Sequence, residues 1–377
     1  MPDAHSRALA ALKRRGRLRA LEGRAGLDFA SNDYLGLAGS TELADAARAA
    51  LDRGVPVGAG GSRLLRGNHP EHEALEAEAA AHFGSETALY FGGGFQANTA
   101  IFSTLPSRGD LIVHDALIHA SVHDGVRASK AEHAIAPHND CQAFDDAIRR
   151  WRARGGMGRV WIAVESLYSM DGDRAPLIDI ATVAARHDAM LVIDEAHATG
   201  VLGDHGRGLA AVLEGCAEVV SLHTCGKALG ANGALVLASR TLRDFMVNRC
   251  RPFIYATAPS PLMAAMVRES LRLCRDEPGR RTAVLRRVGL FNQRVSSGIG
   301  LPVSGSHIVP VIVGGDTRAV ALAAAIRSRG FDVRAVRPPT VPEGTARLRI
   351  TITNNVSEND IEQLAAALGD ELGRLAA

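Results

Sequence analysis

The chain has 377 residues, 46% of them hydrophobic and 22% charged, and 43 Lys+Arg against 41 Asp+Glu leave a net charge of +2. So near-neutral a chain is a poor candidate for a nucleic-acid binder that works by neutralising phosphates, and its length implies more than one ordinary core. The five cysteines (Cys141, Cys216, Cys225, Cys250, Cys274) are odd in number and lack a C-x-x-C pair, which argues for a reducing compartment and against a disulfide frame or a zinc site.

No apolar run approaches the roughly 20 residues that span a bilayer, and the N-terminus lacks the apolar core of a signal peptide, so the cytoplasm is the expected location. Residues 1–26 read as a basic amphipathic helix and a linker, and Ala30 to Leu37 as an irregular segment. Thr41 to Arg53 is helical, with Thr41 the expected N-cap. Gly58 to Arg63 holds too many glycines to be an element and reads as a loop that allows close backbone approach to a ligand. Pro70 opens a helix over Glu71 to Phe83. Short apolar runs follow, read as buried strands: Ala88–Phe91, Leu111–Val113, Val160–Val164, Met190–Ile193, Val219–Leu222 and Ala234–Leu237. Helical stretches at Asn98–Thr104, Gln142–Arg154 and Pro176–His187 lie between them. Strands apolar on both faces, alternating with helices, imply an α/β fold with a mostly parallel sheet covered by helices.

From residue 261 two helical stretches, Pro261–Arg275 and Arg280–Ser297, lead to a second pattern. It comprises a strand His307–Val313, a helix Thr317–Arg329 stopped by Gly330, strands Phe331–Val336 and Arg347–Thr353, and a last helix capped by Ser357 with Asp360. The expected division is an N-terminal segment 1–40, a large α/β domain 41–260, and a linker helix with a small α+β domain 261–377.

In parallel sheets, ligands bind beyond the carboxyl ends of the strands. The residues expected there are Gly92-Gly93-Gly94-Phe95, Glu165-Ser166 with Ser169, Asp194 and His197, and Thr224 and Lys227. Lysine is scarce: only Lys13, Lys130 and Lys227 occur, and only Lys227 follows a buried strand. A desolvated lysine amine can lose its proton and form an imine, which an arginine cannot. Read alone, Lys227 is either such a nucleophile or a surface lysine at a strand end. Asp194-Glu195 is either a ligand group or a solvated strand end, His197 either a ligand group or a core histidine, and Gly92–Gly94 either a phosphate loop or a plain turn. Taken together they suit pyridoxal 5'-phosphate. Lys227 would bind its aldehyde and Asp194 its ring nitrogen, with Gly94, Phe95 and Thr224 around its phosphate and His197 near its ring oxygen.

Asp194-Glu195-Ala196-His197 also spells the box of a DEAH-type nucleotide hydrolase. That reading needs G-x-x-x-x-G-K-[ST], but Gly226-Lys227 is followed by Ala228 and Ser221 stands where the first glycine belongs. His119 and His123, four apart, could bind a metal but lack an obvious third ligand; a structural or ring-stacking role is the preferred reading, and no metal site is expected. Arg337-Pro338-Pro339-Thr340 places an arginine on a proline-fixed backbone, either to grip a carboxylate through two hydrogen bonds or as a braced surface loop.

Six stretches carry a resemblance over nearly the whole chain: Ser31-Asn32-Asp33-Tyr34-Leu35-Gly36, Gly60-Gly61-Ser62-Arg63, Ile118-His119-Ala120-Ser121, Ser169-Met170-Asp171-Gly172-Asp173, Asp194 to Gly200, and Thr224-Cys225-Gly226-Lys227-Ala228. Together they resemble the α-oxoamine synthases, pyridoxal-phosphate enzymes of the fold-type-I aminotransferase superfamily. Arg337 to Arg349 is most similar to the branch that joins L-alanine to a pimeloyl thioester, on coenzyme A or an acyl-carrier protein, in biotin synthesis. The glycine C-acetyltransferase and 5-aminolevulinate synthase branches are the alternatives.

The resemblance implies a homodimeric acyltransferase with catalytic Lys227, Asp194 and His119, the last stacked on the cofactor ring. It implies cofactor contacts from Gly94, Phe95, Ser169, His197 and Thr224. Substrate contacts would come from Asn32, Thr340 and an N-terminal arginine taken as Arg17, with Arg337 on the substrate carboxylate. Cys225 stands where a bulkier apolar residue is usual, and Asn232 where a serine is common.

Overall fold

The computed structural model describes residues 3–213 and 218–376; Cys216 lies outside the described residues. The chain opens with α1 (Ala4–Arg14), capped by the Asp3 carboxylate, and a two-residue strand β1 (Leu27–Asp28). Then come α2 (Thr41–Asp52), α3 (Pro70–Phe83), β2 (Thr87–Phe91), α4 (Gly94–Thr104), β3 (Leu111–Asp115), α5 (Ala120–Ala128) and β4 (Glu132–Ala136). Next are α6 (Cys141–Ala153), β5 (Val160–Glu165), α7 (Leu177–His187), β6 (Met190–Asp194), β7 (Val219–Thr224), β8 (Ala234–Ala238), α8 (Arg240–Arg249) and α9 (Arg251–Ile254). The last third holds α10 (Pro261–Asp276), α11 (Pro278–Ile299), β9 (Ile308–Gly314), α12 (Asp316–Ser328), β10 (Phe331–Asp332), β11 (Arg334–Val336), β12 (Ala346–Thr351) and α13 (Glu358–Ala376).

Two compact units result. The larger comprises Leu35–Ser169 and Arg174–Arg281; the smaller comprises the residues up to Tyr34, Met170–Asp173 and Thr282 onward. Where the sequence suggested breaks near 40 and 260, the chain passes between units at 34/35 and 281/282. Helix α10 packs on α2 and α3 in the larger unit.

The larger unit is built on a seven-stranded sheet of order β2-β8-β7-β6-β5-β3-β4. The pairings from β7 through β4 are parallel, whereas β8 runs antiparallel to both its neighbours. Side chains alternate between two cores, as strand geometry requires. Trp161, Ala163, Met190, Val192, Val220 and Leu222 face one core with Ile101 and Val122. Val160, Ile162, Val164, Leu191 and Ile193 face the other with Ile148 and Ile180. Burial on both faces is what made these strands readable.

The smaller unit has a three-stranded antiparallel sheet, β11-β12-β9, and a parallel β1-β10 pair. Its core joins Phe29, Phe291, Leu322, Ile350 and Leu364. Ser357 and Asp360 cap the last helix reciprocally, Asp360 N–H on Ser357 Oγ at 3.2 Å and Ser357 N–H on Asp360 Oδ2 at 2.8 Å. Gly172 reaches this unit from the middle of the chain, with φ +68° and only 2.1 Å from an added Cβ to the Ile308 carbonyl oxygen. No side chain fits there.

Several expectations are corrected. Ser40, not Thr41, caps α2, accepting the Leu43 N–H at 3.2 Å. Helix α4 begins at Gly94, four residues ahead of the expected Asn98; glycine's low helix propensity and an exposed Phe95 hid its first turn. The expected strand Phe331–Val336 is two strands in two sheets. Four elements carried no clear periodicity: α5, short and holding Gly125; β4, an exposed edge strand; α8, with Met246 its buried residue; and α9, four residues long.

Candidate active site

The carboxyl ends of β3, β5, β6 and β7 lie side by side in the larger unit, and the candidate residues stand on them. Asp194 ends β6 in register with Glu165 of β5 and Leu222 of β7. Asp194 is buried and doubly held: Oδ1 accepts the Ala196 N–H at 2.9 Å, and Oδ2 accepts Asn98 Nδ2 at 2.7 Å. The second Asn98 N–H goes to Ser121 Oγ at 3.0 Å, and Ser121 Oγ lies 2.7 Å from His119 Nδ1. Ser121 N–H also points to that nitrogen, at 3.3 Å. His119 Nδ1 is therefore an acceptor and its ring hydrogen sits on Nε2. The His119 ring lies at the protein surface yet among protein groups. Desolvation lowers its pKa, with Lys227 and His123 adding to that and Asp194 opposing it.

Lys227 is half-buried, and its Nζ lies 2.8 Å from Nε2 of the buried His197. His197 follows Asp194 in the turn after β6, and Thr224 Oγ1 ties β7 to that turn by donating to the Ala196 carbonyl at 3.3 Å. Helix α4 begins beside Thr224: a Cβ on Gly94 would stand 2.6 Å from Thr224 Cγ2. The N-cap of α4, Gly93, offers no side-chain cap, so the first amides of that helix remain available to an anion. Phe95 is exposed and meets His119 edge-on, with ring centroids 6.4 Å apart. Ser169 is buried and its N–H donates to Glu165 Oε2 at 3.1 Å.

The structure thus gathers Gly94, Phe95, His119, Ser169, Asp194, His197, Thr224 and Lys227 in one unit. Sequence reasoning missed Asn98, whose one signal was its place one helical turn after Gly94. His119 and His123 do not share a ligand: His123 packs edge-on against His114 at 4.9 Å. Among the described residues no group of three or more His, Cys, Asp or Glu could hold a metal ion. Arg63 of the glycine-rich loop is spent on a buried ion pair with Glu76 at 2.7 Å. Cys225 is fully buried, which pushes its thiol pKa up, and the Asn232 carbonyl accepts Tyr90 OH at 2.7 Å.

The substrate candidates lie in the smaller unit. Arg337 Nη1 donates to the Gly16 carbonyl. Thr340 N–H closes a turn on the Arg337 carbonyl at 3.1 Å, around a cis Pro338–Pro339 bond, so the segment is a turn and not an extended run. Arg17 is engaged by two carboxylates, Asp316 at 2.6 Å and Glu343 at 2.5 Å. Arg19, by contrast, reaches Thr340 Oγ1 at 3.2 Å. Asn32 Oδ1 accepts from Tyr34 OH at 2.9 Å and from Arg349 Nη2 at 3.0 Å. Arg349, which the sequence did not single out, is buried.

Residues 24–368 match the aminotransferase class I and II family, so the chain belongs to that family. Within it, the chain is 43% identical to the 8-amino-7-oxononanoate synthase of Anaeromyxobacter sp. strain K, over 92% of this chain and 86% of that one. It is 44% identical to the protein of that name in Anaeromyxobacter sp. strain Fw109-5, over 98% and 96%. Among solved structures it resembles the serine palmitoyltransferase of Sphingomonas wittichii (TM-score 0.87, 30% identity, 94% of this chain and 88% of that one). It also resembles the 8-amino-7-oxononanoate synthase of Francisella tularensis (TM-score 0.78, 26% identity, 93% and 99%). The chain is an α-oxoamine synthase, most like 8-amino-7-oxononanoate synthase. Among the described residues no helix is long and apolar enough to cross a membrane.

Proposed function

We propose that this enzyme condenses L-alanine with a pimeloyl thioester, releasing carbon dioxide and the thiol carrier, to make 8-amino-7-oxononanoate. The observation that carries the reading is the Lys227 amine on His197, beside a buried Asp194 held by two donors. The residues fit pyridoxal 5'-phosphate. The open N-terminus of α4 beside Thr224, where only a glycine clears the threonine methyl, suits a phosphate. The anionic Asp194 suits a protonated pyridine nitrogen. When bound, the cofactor supplies an electron sink for the pair left on the alanine α-carbon once its proton is removed.

The chain's own groups do the rest. Asp194, oriented by Asn98 and the Ala196 amide, would hold a positive ring nitrogen. Lys227 is the amine that would bind the cofactor's aldehyde and, when free, would carry the α-proton. His119, fixed by Ser121 as the Nε2–H tautomer, presents a neutral ring to stack and donate. His197 would face the cofactor's ring oxygen, Ser169 would contact the cofactor, and Phe95 would lie at its phosphate end. Arg337 takes the substrate carboxylate, with the buried Arg349 a second candidate, and Asn32 and Thr340 contact substrate. We expect a homodimer.

Lys227→Ala should leave a folded protein that has lost both the visible absorbance gained with pyridoxal phosphate and turnover; retained turnover overturns the assignment. A spectral response of the unsubstituted protein at the lowest concentration of L-alanine, compared with glycine and L-serine, supports the oxononanoate branch. A preference for glycine moves the reading to the acetyltransferase or aminolevulinate branch.

A further inference from the structure

Three acidic residues end three adjacent strands: Asp115 on β3, Glu165 on β5 and Asp194 on β6. All three are buried. Two are supplied with donors. Asp115 accepts the Leu117 N–H at 2.7 Å, the Asn139 N–H at 2.8 Å and His138 Nδ1 at 2.9 Å. Asp194 has Asn98 and the Ala196 amide.

Glu165 is different. Its Oε2 accepts one N–H, that of Ser169, and its Oε1 has no hydrogen-bond partner among the described residues. A buried carboxylate with a bare oxygen is costly, and a second one beside Asp194 costlier still. Protonating Oε1 removes the buried charge and its repulsion with Asp194 and keeps the Ser169 bond on Oε2. The electrostatics agree in direction. Burial raises the Glu165 pKa most, Asp194 from β6 and Asp115 from β3 raise it further, and Lys227 with the Ser169 amide pulls it back only in part.

We infer that Glu165 is a neutral carboxylic acid in the working enzyme, a positioning residue that leaves Asp194 charged without a second anion beside it. The consequence falls on Lys227. An additional anion within its field would hold the amine protonated, whereas a neutral Glu165 lets the amine lose its proton and act as a nucleophile. The role at Lys227 rests on the cofactor reading above; the charge state of Glu165 does not.

The test has two arms. In cofactor-free protein, infrared spectroscopy should show the C=O stretch of a protonated carboxylic acid, lost in Glu165→Gln. Glu195, also buried and with a pKa raised to about 7, gives a similar band and is told apart by Glu195→Gln. Should E165Q fail to fold, the unsubstituted protein at about pH 8 decides, because Glu195 is then largely ionised and the band must persist. Absence of a persistent band, or a band unchanged in E165Q, overturns the inference whatever the cofactor. In the loaded enzyme, E165Q should leave the pH midpoint of the visible absorbance where it was. A downward shift of about one pH unit or more would mean that a negative charge had been removed, and would overturn it too. If the infrared arm succeeds while no visible absorbance forms, the cofactor reading has failed and the charge state of Glu165 stands.

Discussion

At the scale of single residues, the site is a chain of donors ending on one anion. Asn98 bridges Asp194 and Ser121, and Ser121 sets the His119 tautomer. A hydrogen bond to a charged group contributes about 1.5–3 kcal/mol. Asn98→Ala is therefore expected to weaken pyridoxal phosphate binding roughly tenfold or more, measured by titrating the apoprotein; unchanged affinity would detach Asn98 from the site. The N-terminal arginines separate in the same way. Arg17→Ala, which breaks two ion pairs within the smaller unit, should lower the melting temperature and leave both KM values alone, and Arg19→Ala should raise the KM for the acyl thioester without moving the melt. The reverse pattern would restore Arg17 as the substrate arginine. Lys227, Asp194 and His197 could be read at the sheet edge from sequence because each stands at or just past the end of a buried strand. It could not rank Arg17 against Arg19, because their partners, Asp316, Glu343 and Thr340, are distant in the chain.

At the scale of elements, the join between strand and helix matters most. Gly94 opens α4 against Thr224 at the end of β7, and Gly94→Ala brings a methyl within 2.6 Å of Thr224 Cγ2. Overpacking of that kind costs about 1–3 kcal/mol. The double variant G94A/T224S, which removes the opposing methyl, should recover most of the lost melting temperature; no recovery would place the strain elsewhere. A second latch joins α3 to β2. Glu76 pairs with Arg63 through two bonds, at 2.7 and 3.0 Å, and its Oε1 also accepts the Tyr90 N–H at 2.9 Å. Both side chains are buried, so Arg63→Met leaves an uncompensated carboxylate and should cost about 3–5 kcal/mol in denaturant unfolding. A near-neutral result would mean that water reaches Glu76. Elements buried on two faces were legible, since their apolar runs are continuous. Two of those that were missed, β4 and α8, bury few of their residues, so their sequences lack the periodicity that burial imposes.

At the scale of the whole molecule, buried titratable groups shape the dependence of stability on pH. His223 and His82 are held neutral by burial, with pKa values lowered to about 3 and about 4 from 6.5. The unfolded chain binds more protons than the native one below about 6.5, so both histidines remove stability as pH falls through that window. Glu195, raised to about 7 from 4.5, acts oppositely: the native state holds its proton longer, so stability falls as pH rises above about 4.5. Between about 4.5 and 6.5 the two histidines outweigh the one glutamate, so these three groups make stability rise with pH up to about 6.5 and give back a little until Glu195 is ionised near 7. Thermal melts should climb with pH from about 4.5 to 6.5, and His223→Gln should flatten that climb; a melting temperature that falls across that window would contradict it. One pairing also bears on how the chain is made. Strand β1 has β10 as its sheet partner, Leu27 against Phe331 and Asp28 against Asp332. On a ribosome β1 must wait for the much later β10 to be synthesised, while the larger unit between them can already close its sheet. Until then β1 and the basic stretch before it stay unsheltered, open to proteases and chaperones.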